Sequence, residues 1–197
     1  MSRRFEPFSV GKFTITPADR PVTPGNLPIV LGEKGAFGSG EHETTASCLE
    51  MVSELSPLHG LRVLDVGSGT GILSIAALRC GCDSAVALDC DAAAARVCRE
   101  NGVLNGYDST LLSIQGTLES LRLTPSFDLV MANIYLEILM DAAGSIIALT
   151  RPGGKILLSG IPLQDKFDIQ RCYHRLGARE IDSRIGEEFA TYLFTRT

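Results

Sequence analysis

The sequence predicts a doubly wound α/β fold, a parallel sheet with helices on both faces. Three observations predict it. From residue 62 onward, short apolar runs alternate with helix-length amphipathic segments. A glycine-rich turn, Asp65-Val66-Gly67-Ser68-Gly69-Thr70-Gly71, joins the first of those strands to its helix. The last two strands are separated only by a short turn at Gly186, so they form an antiparallel hairpin at one edge.

In chain order, residues 1–35 read as an N-terminal arm. Five prolines (Pro7, Pro17, Pro21, Pro24 and Pro28) interrupt its apolar runs, leaving room for strands at 12–16 and 29–31. The main domain is assigned to residues 36–197. A helix starting near 41–45 reaches Leu55, with apolar positions at Ala46, Leu49, Val52 and Leu55. Strand 62–66 leads to helix 71–79, and strand 84–88 to helix 92–104. A weaker strand follows at 110–114. Strand 127–132 leads to helix 136–149, and strand 155–158 to helix 163–176. Strands 178–185 and 188–195 close the chain. In open sheets of this type a ligand binds at the carboxyl ends of the strands.

Composition narrows the function classes. With 197 residues the chain can bury a substantial core, and 45% apolar with 21% charged residues is ordinary for a globular protein. A net charge of −5 argues against a long nucleic-acid footprint but not against an enzyme that visits a basic protein. No apolar run is long enough to span a bilayer, and no apolar core follows the first residues as in a secretory signal. Six cysteines in a chain this long are no disulfide scaffold, which points to a reducing, cytoplasmic setting. Cys80-Gly81-Cys82 has one intervening residue and no accompanying cysteine pair or histidine cluster, so no metal site is expected.

The glycine turn brings backbone close to a ligand at a helix N-terminus. A dinucleotide fingerprint needs its third glycine where this chain has Ile72, which disfavours a nicotinamide oxidoreductase. Gly67 and Gly69 are therefore read as a nucleoside-binding turn. Asp89 ends the second strand, about 20 residues on, where a carboxylate accepts from a ribose diol. Its other reading is a helix N-cap, a job that Asp91 suits better. Asp65 either approaches a ligand amino group or holds the turn itself. Asn133 ends the fourth strand and either faces the reaction centre or caps the next helix. In Gly35-Ala36-Phe37-Gly38-Ser39-Gly40-Glu41-His42-Glu43-Thr44-Thr45, Phe37 either closes over a planar ligand or enters the core. Thr44 and Thr45 open a helix whose hydroxyls and free amides can hold a carboxylate. His42 is read as a packing histidine before a catalytic base.

These residues resemble a known family. The run Ala36 to Thr45 is similar to the AFGTGxHxTT signature of the ribosomal protein L11 methyltransferases. Asp65 to Gly71, Asp89-Cys90-Asp91 and Ala132-Asn133-Ile134 match that family's order and spacing, and Phe8 to Pro17 is similar to the strand opening its catalytic domain. The resemblance implies a class I methyltransferase fold, a Rossmann-like doubly wound sheet of seven strands with the last antiparallel. It implies S-adenosyl-L-methionine as cofactor, with Thr45, Gly67, Asp89 and Asn133 as contacts and Phe37 and Thr44 beside them. A one-carbon transfer from a sulfonium needs positioning and exclusion of water rather than a catalytic triad. Methylation of bases or glutamine amides is disfavoured, because Ile134-Tyr135 stand where those enzymes carry two prolines.

The implied activity is methyl transfer to a protein amine, a lysine, with Asn133 orienting the acceptor. A ribosomal protein is the implied partner, without membrane or direct nucleic-acid binding. The family's full-length enzymes carry an additional N-terminal recognition domain, and this chain starts close to the catalytic domain. A small-molecule methyltransferase and a non-catalytic cofactor-binding domain are the alternatives. Two residues depart from the signature. Ser39 and Glu43 stand where the family usually has threonine and proline, and Glu43 places a negative charge near the expected sulfonium.

Overall fold

The computed structural model describes residues 6–21, 27–32 and 41–197. A small sheet comes first: β1 (Phe8–Val10), β2 (Phe13–Pro17) and β3 (Leu27–Leu31), with β2 central, antiparallel to β1 and parallel to β3. Then follow α1 (Glu43–Leu55), β4 (Arg62–Val66), α2 (Ile72–Arg79), β5 (Ser84–Asp89), α3 (Ala92–Leu104), β6 (Leu111–Gln115) and β7 (Phe127–Asn133). The remainder is α4 (Leu136–Asp141), α5 (Ala143–Leu149), β8 (Thr150–Pro162), α6 (Lys166–Arg175), β9 (Ala178–Ile185) and β10 (Phe189–Arg196).

Strands β4 to β10 form one seven-stranded sheet in the order β6-β5-β4-β7-β8-β10-β9. β4 pairs in parallel with β5 and β7, and β8 in parallel with β7. β10 is inserted between β8 and β9 and runs antiparallel to both. The predicted edge hairpin and the antiparallel last strand are therefore present, with β9 outermost. The chain enters at β4, winds outward to β6, and returns to β7 on the other side of β4. The strand order thus reverses between β4 and β7, and that reversal opens a crevice at their carboxyl ends.

Period-two alternation sorts the sheet's side chains into two cores. Val63, Ala85, Leu129, Met131, Leu157 and Leu193 face α1, α2, Cys98 of α3 and the small sheet. Their neighbours Leu64, Leu88, Val130, Ala132, Ile156, Leu158 and Phe194 face α4, α5 and α6. Phe13, Ile15 and Ile29 of the small sheet are fully buried in the first of these cores. Asn105, at the end of α3, fastens the small sheet further. Its Oδ1 accepts from the Val30 amide at 2.9 Å, and its Nδ2 donates to the Val30 carbonyl at 2.7 Å.

Four elements differ from expectation. The arm carries three strands rather than one or two, because Gly11-Lys12 turn the chain back and pair Phe8–Val10 with Phe13–Pro17. The helix expected over 136–149 is two helices. Ala142 between them relaxes to φ −82°, ψ −5°, and Gly144, a weak helix former, follows it. Strand 155–158 extends to Thr150–Pro162, since β7 and β10 supply hydrogen-bond partners on both sides. The helix expected from 163 begins at Lys166, after a 3-10 turn at Leu163–Asp165. Among the described residues, no helix is long and apolar enough to cross a membrane.

Candidate functional site

The crevice between β4 and β7 gathers most of the residues singled out in the sequence. The turn leaving β4 is held from one side by β5: the Gly67 and Ser68 amides donate to the Leu88 carbonyl at 2.8 and 3.2 Å. Gly67 has φ +70°, and a Cβ there would lie 2.2 Å from Ile134 Cγ2. Gly71 caps α2 in the left-handed conformation, φ +77°, with Cys98 Sγ 2.5 Å from where its Cβ would be. At Gly67 and Gly71 the turn is therefore bare backbone, pressed against the segment after β7 and against α3, with no room for a Cβ at either position.

Asp89, at the end of β5, braces the same turn. Its Oδ2 accepts from the Gly69 amide at 2.8 Å and its Oδ1 from the Asp91 amide at 3.0 Å. The helix cap falls to Asp91, whose Oδ1 accepts from Ala93 at 2.8 Å. An ionised carboxylate has about four acceptor sites. Among the described residues, two of Asp89's are taken by backbone amides, which leaves two.

Asp65 faces inward. It is 1% exposed, and its Oδ2 accepts from the Ser74 amide at 3.1 Å and the Ser74 hydroxyl at 2.8 Å, which ties β4 to the first turn of α2. Of its two readings, these contacts are those of the structural one. Burial pushes its carboxyl up to about 6; the Ser74 bonds oppose this, and the charge of Asp89 adds to it. The sign follows from linkage. A carboxyl with a folded pKa above its ordinary 3.8 stabilises the fold below that value, and this contribution is lost as pH rises through about 6. Asp65→Asn keeps an acceptor for Ser74 but does not titrate. Thermal melts of the two proteins should therefore diverge between about pH 4 and about pH 6, with the wild type losing stability relative to the variant. Parallel Tm curves across that window would contradict the assignment.

Asn133 ends β7 across the crevice. Its Nδ2 donates to Thr45 Oγ1 at 3.2 Å, and its Oδ1 has no partner among the described residues. It does not cap α4; Tyr135 occupies that position, with no side-chain cap bond and 76% exposure. Thr44 and Thr45 are buried in the first turn of α1. His42 caps this helix: the Thr44 amide donates to its Nδ1 at 3.4 Å, and the Thr44 hydroxyl lies 2.8 Å from the same nitrogen. Its ring also packs against Phe189 at 5.6 Å, the packing role expected of it. Phe37 lies outside the described residues.

Two residues contribute that the sequence reading passed over or misplaced. Asn101, 2% exposed in α3, accepts from the Gly32 amide at 2.8 Å and donates to the Thr70 carbonyl at 2.8 Å. It thereby links the glycine turn to the end of the small sheet. Asparagine is a poor helix former, so Asn101 inside α3, one turn before Asn105 at its C-cap, is itself a signal that the side chain binds backbone. Asn101→Ala leaves the buried Thr70 carbonyl and the half-buried Gly32 amide without this partner. It should cost on the order of 2–4 kcal/mol, visible as a Tm lower by roughly 5–15 °C for a domain of this size. A Tm within 2 °C or so of wild type would refute that.

Glu43 does not direct its charge at the crevice as the sequence suggested. Its carboxylate accepts instead from the amides of Glu187, Glu188 and Phe189 in the β9–β10 turn. Cys80 and Cys82 are buried, and burial pushes the Cys82 thiol up to about 12. Among the described residues, no group of three or more histidine, cysteine or acidic side chains is placed so that it could hold a metal ion.

Comparison with known proteins bears on this geometry. The family model described as Ribosomal protein L11 methyltransferase (PrmA) matches residues 1–191. The ribosomal protein L11 methyltransferase of Geobacter sulfurreducens is 38% identical over 190 residues, covering 94% of this chain and 61% of that protein. That of Myxococcus xanthus is 36% identical over 171 residues, covering 85% of this chain and 58% of that protein. The chain thus spans roughly half to three-fifths of the length of these curated relatives. Among solved structures, the ribosomal protein L11 methylase of Lactobacillus delbrueckii subsp. bulgaricus superposes with a TM-score of 0.85 at 28% identity, covering 98% of this chain and 99% of that one. The magnesium protoporphyrin IX methyltransferase of Synechocystis shares the fold, with a TM-score of 0.63 at 16% identity.

Proposed function

We propose, from the premise that this chain belongs to the ribosomal protein L11 methyltransferase family, that it transfers a methyl group from S-adenosyl-L-methionine to a protein amine. The acceptor in this reading is a lysine of a ribosomal protein, encountered in the cytoplasm. One observation carries it: the glycine turn braced by the Asp89 carboxylate and the Asn133–Thr45 pair both lie at the carboxyl ends of the strands where the sheet order reverses.

The residues present suit that cofactor. Gly67 and Gly69 would bring backbone amides to it, and Asp89 would accept from its ribose diol. Thr44 and Thr45, at the start of α1, would meet its amino-acid end together with Asn133. Phe37 is assigned a place beside it on the resemblance alone. Asp65 would act behind the turn by holding Ser74, not by direct contact. Bound S-adenosyl-L-methionine supplies an electrophilic methyl group on a sulfonium, a chemistry that needs no metal and no covalent enzyme intermediate.

The rest falls to the chain. A lysine amine, with an ordinary pKa near ~10.4, must arrive deprotonated to attack. Asn133 Oδ1, without a partner among the described residues, would accept from the amine and aim its lone pair. Tyr135, exposed beside it, would line the approach and exclude water. Neither side chain has to take the proton, which can leave to solvent before the acceptor docks.

Isothermal titration with S-adenosylhomocysteine should give saturable binding. Tritiated methyl transfer into a cell extract, separated by size, should place the label in the protein fraction. No binding up to millimolar ligand would end the methyltransferase reading. Label confined to small molecules would end the protein-substrate part and favour a small-molecule acceptor.

A further inference from the structure

Three consecutive residues at the start of α1 reach three different parts of the sheet. Thr45 meets β7 through Asn133. The Thr44 carbonyl accepts from Ser159 Oγ of β8 at 3.3 Å, and Ser159 Oγ lies 2.7 Å from Thr191 Oγ1 of β10. Glu43 reaches past both to the hairpin tip: Oε2 accepts from Glu187 at 2.8 Å, and Oε1 from Glu188 at 3.0 Å and Phe189 at 3.1 Å. Phe189 in turn packs on His42, the residue that caps α1 and meets Thr44.

Three successive amides converging on one carboxylate form an anion nest, and hydrogen bonds to a charged acceptor are the stronger kind. Here the anion is part of the protein. Without this acceptor, the three tip amides would turn to water.

We infer that Glu43 is a positioning residue: by clasping the β9–β10 turn it fixes the first turn of α1, and so sets Thr44 and Thr45 against the cofactor. This rests on the methyltransferase reading above. Glu43 itself touches neither Asn133 nor the glycine turn; it acts through its two neighbours and through Phe189 on His42. Its charge is directed to the tip amides rather than into the crevice.

The test uses the full chain and three measurements: affinity for S-adenosylhomocysteine by titration calorimetry, hydrogen exchange at Glu187–Phe189, and Tm. Glu43→Ala should lose protection at those three amides and bind at least tenfold more weakly. Glu43→Gln, which keeps an acceptor oxygen, should bind within threefold of wild type. If Glu43→Ala does not fold, Glu43→Asp, one methylene too short to reach the tip, serves in its place with the same tenfold loss expected. Unprotected tip amides with wild-type affinity would overturn the positioning role and leave Glu43 a stabilising tie only. A wild-type chain that binds no S-adenosylhomocysteine would instead remove the reading on which the inference rests.

Discussion

Asp89→Ala is expected to weaken S-adenosylhomocysteine binding by at least 100-fold. Two hydrogen bonds from a ribose diol to a carboxylate contribute about 1.5–3 kcal/mol each, and about 3–6 kcal/mol corresponds to roughly 10²–10⁴ in affinity. The variant also loses the acceptor for the Gly69 amide, so the turn that should meet the ligand loosens at the same time. Asp91→Ala separates this from a capping effect. It removes the acceptor for Ala93 and should cost about 1 kcal/mol of stability, with affinity within about twofold of wild type. Calorimetric titration of the two variants checks both. Equal affinities would show that the acid at the end of β5 does no more than brace the backbone.

Gly67→Ala is expected to disable both stability and binding. Its φ of +70° is costly for any residue with a Cβ, and that Cβ would stand 2.2 Å from Ile134 Cγ2. The conformational part costs about 1–2 kcal/mol, and relieving the overlap about 1–3 more. Together they predict a Tm lower by roughly 5–15 °C. Either Ile134 is pushed aside or the turn leaves Leu88, and both outcomes distort the crevice between Gly67 and Asn133. Pairing the change with Ile134→Ala removes the colliding methyl group but not the strained φ. The double variant should therefore recover part of the Tm and only a fraction of the binding. Full recovery of both would show that steric contact alone sets the requirement for glycine.

Much of this molecule was legible residue by residue. The alternation of Val63 with Leu64, or of Leu157 with Leu158, announces strands covered on both faces. Asp91 ahead of four alanines announces a helix start, and Asp89 beside it announces a carboxylate left for other work. What resisted reading was of another kind. The helix over 136–149 breaks at Ala142, a residue with excellent helix propensity, and Gly144 two positions on is the one local hint of the break. Asp65 stood open between two uses, because the position before a glycine turn suits both. Its burial and the two bonds from Ser74 show how it is held. Asn133 also had a helix-cap reading beside the favoured one at the reaction centre, and its contact with Thr45, with Tyr135 at the cap position, decides against the cap.

The sequence by itself determined the doubly wound sheet, its closing hairpin, the nucleoside-type turn and the resemblance to the family. Each of these is written in contiguous residues, as a period of two or 3.6, a glycine spacing, or a cap. The tertiary structure alone decided which distant groups complete the site. Asn101 joins Thr70 to Gly32, Asn133 finds Thr45, and Glu43 closes on amides 144 to 146 residues away. Such pairings leave no local periodicity, because they depend on where the strand order reverses and on which chain ends the reversal brings together.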